Sequence, residues 1–152
     1  MNQIFQTMNF NIKKYTGKNT EAKAGEFIFY VQSVGNNAGR PLREPIPNSW
    51  EFRTFRSVDW EILTIVFISR ILENFIIGSV IPFIRLEEYK KIIIPILENA
   101  VHENGEINKK YLQIRKIEKQ IETRQKINDL LKEMKTITAR QAIQMMKEEN
   151  AL

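Results

Sequence analysis

Apolar and polar positions alternate at different periods in different parts of this chain. Glu26-Phe27-Ile28-Phe29-Tyr30-Val31-Gln32-Ser33-Val34 is dense in aromatic and β-branched residues and stops at a glycine, which predicts a strand buried on both faces. Trp50-Glu51-Phe52-Arg53-Thr54 alternates strictly, predicting a half-exposed strand with Glu51 and Arg53 on the face opposite Trp50 and Phe52. Between them, residues 35–49 hold two glycines, three prolines and three asparagines, a composition that predicts a long loop. A loop of that length is more often functional than idle. Ser57 and Asp59 are good helix-start residues, and Trp60, Leu63, Phe67, Ile71 and Phe75 recur at spacings of three and four, predicting a buried helix. Residues 78–84 and 91–95 are short apolar runs punctuated by proline. They predict edge or terminal strands flanking a one-turn helix over 86–89. Residues 1–25 are polar, with a turn signal at Gly17-Lys18-Asn19-Thr20, and predict an irregular lead-in with one short strand at Phe10 to Ile12.

After Gly105 the pattern changes again. Neither proline nor glycine occurs through Leu152, and Ile107, Tyr111, Ile114, Ile117, Ile121, Ile127, Leu131 and Met134 form a stripe among Glu, Lys, Gln and Arg. This predicts a long exposed helix. Thr136 or Thr138 can end it and cap a last helix whose apolar cluster is Ala142, Ile143, Met145 and Met146. About 30 helical residues extend roughly 45 Å, more than a domain of about 100 residues can cover, so the stripe calls for another helix. The predicted class is therefore α/β (α+β): a compact mixed-sheet domain over residues 1–98, then a long C-terminal helix or helical hairpin over 106–150.

Composition narrows the chemistry. The 152 residues contain no cysteine and one histidine, His102. That removes disulfide frameworks, thiolate metal sites, cysteine nucleophiles and multi-histidine metal centres, and it suits a reducing, cytoplasmic location. The most apolar stretch, residues 62–81, carries Arg70, Glu73 and Asn74, so it reads as core and not as a membrane span. The first ten residues lack the basic start and apolar run of an export signal. The net charge of +5 is compatible with a polyanionic partner. Residues 1–100 carry +2 of it and residues 101–152 carry +3, so neither half is a basic tail. No phosphate-cradling glycine loop, nucleophile elbow or dinucleotide fingerprint occurs.

The order Gly78-Ser79-Val80-Ile81-Pro82-Phe83-Ile84, then Leu86-Glu87-Glu88-Tyr89-Lys90-Lys91-Ile92-Ile93-Ile94-Pro95, then a long helix ending in Leu130-Leu131-Lys132-Glu133-Met134 and Ala139-Arg140-Gln141-Ala142-Ile143-Gln144-Met145-Met146, resembles the specificity subunits of type I restriction–modification systems. The likeness covers roughly Leu72 to Lys147. It implies a single target recognition domain joined to one spacer helix, half a subunit, that pairs with a second copy. It further implies that double-stranded DNA and a methyltransferase subunit are the partners, with no cofactor and no catalysis of its own.

The residues that would read DNA are Asn36, Asn37, Arg40, Arg43, Arg53 and Arg56. Arginine binds guanine O6 and N7 through two hydrogen bonds and asparagine does the same for adenine N6 and N7, and glycines let the loop approach the bases. The plainer reading is ordinary turn chemistry in the loop and arginines that solubilise a strand face. Lys13, Lys14 and Lys18 are candidate phosphate contacts, against a solvated basic patch. The stripe is expected to pack antiparallel on the same helix of another chain, against the alternative of folding back on its own domain. Asp59 with Glu88-Tyr89-Lys90 offers the elements of a divalent-cation nuclease, but Glu88 falls on a helix turn away from Asp59. A runner-up function, from a different class, is a protein-interaction adaptor that keeps the fold without reading DNA.

Overall fold

The computed structural model describes residues 9–100 and 105–151, and the chain divides into two compact units, 1–109 and 110–152. The first unit, the head, holds a four-stranded sheet: β1 (Phe10–Lys14), β2 (Phe27–Gln32), β3 (Pro41–Leu42) and β4 (Ser49–Thr54). The strands lie in the order β1-β4-β2-β3, and every pairing is antiparallel, so the sheet is not the mixed one expected. Two helices follow, α1 (Val58–Ile68) and α2 (Leu86–Asn99), and then α3 (Glu106–Glu149). The fold is thus mixed α and β with a long C-terminal helix. His102 lies outside the described residues.

Period-2 alternation assigns the two sheet faces. Ile12 pairs with Phe52, and Phe52 with Phe29, and these three rows of side chains make the inner face. Phe29 and Phe52 stack at 4.7 Å, Phe29 meets Trp60 of α1 edge-on at 5.3 Å, and Trp50 meets Tyr89 of α2 at 5.1 Å. Ile62, Leu63 and Val66 from α1 and Tyr89, Ile93 and Leu97 from α2 complete this core. The outer face is not the solvated surface expected of β4. Glu51 is 3% exposed, because β4 is flanked by β1 and β2 and the preceding segment is tied across it. Arg53 donates to Glu26 and Glu51 carboxylates and to the Thr20 and Glu21 carbonyls, and the Tyr15 ring packs edge-on against Tyr30.

Other expectations also need correction. Residues 86–99 form one helix, not a one-turn helix followed by a strand, and Pro95 sits inside it. Tyr89, Ile93 and Leu97 recur every four residues on the buried side, and that burial outweighs the hydrogen bond to Lys91 that a proline cannot make. Helix α1 stops at Ile68 well short of Phe75. Arg70 takes φ +62, a 3₁₀ turn follows at Glu73–Phe75, and Ile71 and Phe75 end up exposed while Leu72 is buried. Leu72 fits only because Gly39, at φ +90, has no side chain: a Cβ there would lie 2.3 Å from Leu72 Cδ1. The predicted loop is ordered and contains β3. Its Gly39 N–H donates to Gln32 O at 2.6 Å and its Arg40 carbonyl accepts from Gln32 N at 2.9 Å, which folds 35–42 back onto β2. The run 78–84 closes as isolated bridges, Ile77 with Phe83 and Val34 with Phe83, in place of a full strand.

Helix α3 runs unbroken for 44 residues, about 66 Å at 1.5 Å per residue. Thr136 and Thr138 neither end it nor cap a second helix. Their hydroxyls donate to the carbonyls of Lys132 at 3.1 Å and Met134 at 2.9 Å, the local bond by which threonine is accommodated within a helix.

Candidate nucleic-acid interface and pairing helix

The six proposed base readers divide into two groups. Asn36, Asn37 and Arg40 share one turn between β2 and β3, where Arg40 N bonds Asn37 O at 3.0 Å and all three side chains are exposed. These three are free to meet a ligand. The other three arginines are engaged within the head. Arg43 lies 3.7 Å above the Trp60 ring on the α1 side of the sheet, a cation–π contact. Arg53, on the outer face, ion-pairs with Glu51 at 2.7 Å and Glu26 at 3.1 Å and is 13% exposed at its side chain. The hydrogen bond to Glu51 holds the Arg53 guanidinium above its usual pKa. Arg56 pairs with the fully buried Asp59 at 2.6 Å and donates to the Leu97 carbonyl at 3.0 Å. Arg53 and Arg56 are thus held in ion pairs within the head, while Arg43 stays exposed on the Trp60 ring.

Asp59 is accordingly a structural anchor, accepting from Thr54 Oγ1 and ion-paired with Arg56. Glu88 pairs with Lys91 at 2.9 Å. Among the described residues no cluster of three or more His, Cys, Asp or Glu is placed to hold a metal. The acidic set weighed for a nuclease is not brought together.

Of the candidate phosphate lysines, Lys13 and Lys14 fall on opposite faces of the sheet. Lys13 is directly opposite Glu51 and 3.6 Å from it. Lys14 pairs in register with Trp50, so it occupies an inner-face position where the alternation of Phe10 and Ile12 calls for an apolar residue. It lines a cleft of about 420 Å³ together with Tyr15, Ser33, Asn48, Trp50, Phe83 and Arg85. Arg85, which precedes the first residue of α2, was not picked out from sequence. The legible signal was a lysine breaking an apolar alternation; the partner arginine depends on tertiary contact.

Helix α3 leaves its stripe uncovered. Ile117, Ile121, Ile127, Leu131 and Met134 are each more than half exposed, and Tyr111 and Ile114 are intermediate. Ile107 belongs instead to the rim of the head core, so the free stripe begins after it. Polar positions on α3 carry local ion pairs such as Lys126–Glu122 at 2.8 Å, and the hydrogen bond from Lys126 lowers the Glu122 carboxyl pKa. Such pairs support the helix itself. Among the described residues no helix is long and apolar enough to cross a membrane.

The profile of a family of unknown function, DUF6943, matches residues 12–141. No curated protein and no solved structure matches the chain.

Proposed function

We infer that this chain, which belongs to the DUF6943 family, is a non-catalytic recognition half-subunit that pairs through α3 and presents its head to double-stranded DNA. A methyltransferase subunit of a restriction–modification-like system, as the resemblance to type I specificity subunits implies, supplies the chemistry. The carrying observation is the uncovered stripe. Ile121, Ile117, Ile114 and Tyr111 lie 3, 7, 10 and 13 residues before Arg124, and Ile127, Leu131, Met134 and Ile137 lie at the same distances after it. Leu112 and Leu130 fall outside this mirrored set. A second copy running the opposite way meets the apolar series row for row, and pairing is the ordinary fate of a long helix with such an edge.

Charge favours that direction. Residues 106–127 hold seven Lys and Arg against three Asp and Glu, while residues 128–149 hold four of each. A parallel pair sets the basic halves side by side; an antiparallel pair sets each against a neutral half.

DNA reading falls to Asn36, Asn37 and Arg40, the part of the candidate set that the fold leaves unoccupied. The engagement of Arg43, Arg53 and Arg56 favours the second reading, a dimeric adaptor whose partner is a protein. Selection of bound sequences from a random duplex pool, with and without a methyltransferase subunit, separates the two. An enriched motif whose affinity falls steeply with salt and drops about tenfold or more in Arg40→Ala supports DNA recognition. A flat pool in both arms leaves the adaptor, and a monomer in sedimentation at high concentration removes both.

A further inference from the structure

We propose that the cleft between the end of β1 and the start of α2 is a phosphate-binding site, with Lys14 and Arg85 as its two cations. Lys14 closes β1 and Arg85 immediately precedes α2. Both line the same cleft, and both side chains are exposed. Neither makes an ion pair or hydrogen bond among the described residues. This separates them from their basic neighbours: Lys13 is spent on Glu51, Lys90 on Glu87 and Lys91 on Glu88. No Asp or Glu lines the cleft, so two uncompensated positive charges face one concave volume, where an anion is drawn in and held.

The remaining lining suits a phosphoester. Ser33 and Ser49 spend their hydroxyls on the carbonyls of Asn48 and Ile46, which fixes the wall. Asn48, at φ +62, lines the cleft as an exposed residue, and its side-chain amide makes no hydrogen bond among the described residues. The backbone N–H groups that open α2 have no side-chain cap and add a favourable dipole beside Arg85. The volume of about 420 Å³ is at the small end of ligand sites, enough for one nucleotide unit and too little for a large organic ligand.

The inference is written for a phosphodiester of the DNA backbone and in that form rests on the DNA reading above; a free nucleotide offers the same chemistry. The test is binding of a fluorescent random-sequence duplex, and separately of ATP, to the full chain and to Lys14→Ala, Arg85→Ala, the double variant and a Lys23→Ala control outside the cleft. All four should melt with the parent, since no internal contact is removed. The expected result is at least a tenfold loss of duplex affinity at low salt in the double variant. It should be uniform across sequences, with a shallower salt slope and Lys23→Ala within about twofold. ATP binding that the double variant loses, with no duplex binding by any chain, keeps the phosphate site and discards the DNA reading. A double variant that binds duplex like the parent, or a parent that binds neither probe, overturns the proposal.

Discussion

At the scale of single residues, the head spends charge on its own stability. Arg53 is the clearest case, with its guanidinium divided between Glu51, Glu26 and two backbone carbonyls. Removing it leaves Glu51 buried with only Lys13 at 3.6 Å. Arg53→Ala should therefore cost about 2–4 kcal/mol in chemical denaturation, and any loss of ligand binding in that variant reports on folding. A stability within about 0.5 kcal/mol of the parent would mean the pair is dispensable. Tyr89 presents the opposite problem. Its ring fills the core, but its hydroxyl finds no hydrogen-bond partner among the described residues, and burial drives its pKa far above the usual phenol value of 10.0. The native state keeps the phenol proton while the unfolded chain releases it above about pH 10. The stability tied to this group is whole below that value and declines as pH rises beyond it. Tyr89→Phe should stabilise the head by about 1 kcal/mol at neutral pH and flatten the alkaline limb of a stability–pH profile. The Tyr30 phenol, also raised by burial, keeps part of that limb.

The elements show which signals local sequence carries. Strands β1, β2 and β4 fall where alternation and β-branched density put them, because half of a strand's pattern is decided by the face it buries. Helix α2 is hidden in the sequence because Ile92-Ile93-Ile94-Pro95 has the composition of a strand, while the four-residue spacing of Tyr89, Ile93 and Leu97 becomes meaningful only once a sheet lies beneath it. Helix α1 was overextended since nothing in Ser69-Arg70 announces a stop; the left-handed Arg70 and the seating of Leu72 against Gly39 are tertiary facts. For the same reason the candidate site is half legible: exposed Asn36, Asn37 and Arg40 follow from loop composition, but Arg53 and Arg56 are also held by Glu26 and the Leu97 carbonyl, 27 and 41 residues away, beside their local partners Glu51 and Asp59. Pro95 yields a prediction at this scale. It is exposed, inside α2, and denies Lys91 its helical hydrogen bond. Pro95→Ala restores that bond and should raise stability by about 2 kcal/mol, the helix-interior penalty of proline less the entropy it removes from the unfolded chain. A lower melting temperature would show that the proline sets the course of the chain after α2.

For the whole molecule the question is what covers the stripe of α3, and the absence of cysteine makes its answer measurable, since each thiol introduced is the sole one. In an antiparallel pair centred on Arg124, Ile117 of one copy meets Leu131 of the other and Arg124 meets itself. In a parallel pair every residue meets its own counterpart. Oxidation of Arg124→Cys should therefore give a covalent dimer in either direction, which tests pairing alone. Ile117→Cys by itself should cross-link only if the helices run parallel. A mixture of Ile117→Cys and Leu131→Cys chains should cross-link only if they run antiparallel, because a disulfide tolerates Cα separations of only about 4.4–6.8 Å. The charge asymmetry of the two halves of α3 predicts the mixed product, and predicts that it forms more readily at low salt, where the cost of placing basic halves together is greatest. Ile117→Cys dimers with no mixed product would reverse the direction. Failure of all three, with Leu131→Asp leaving sedimentation unchanged, would show that the stripe is covered by something other than a second copy.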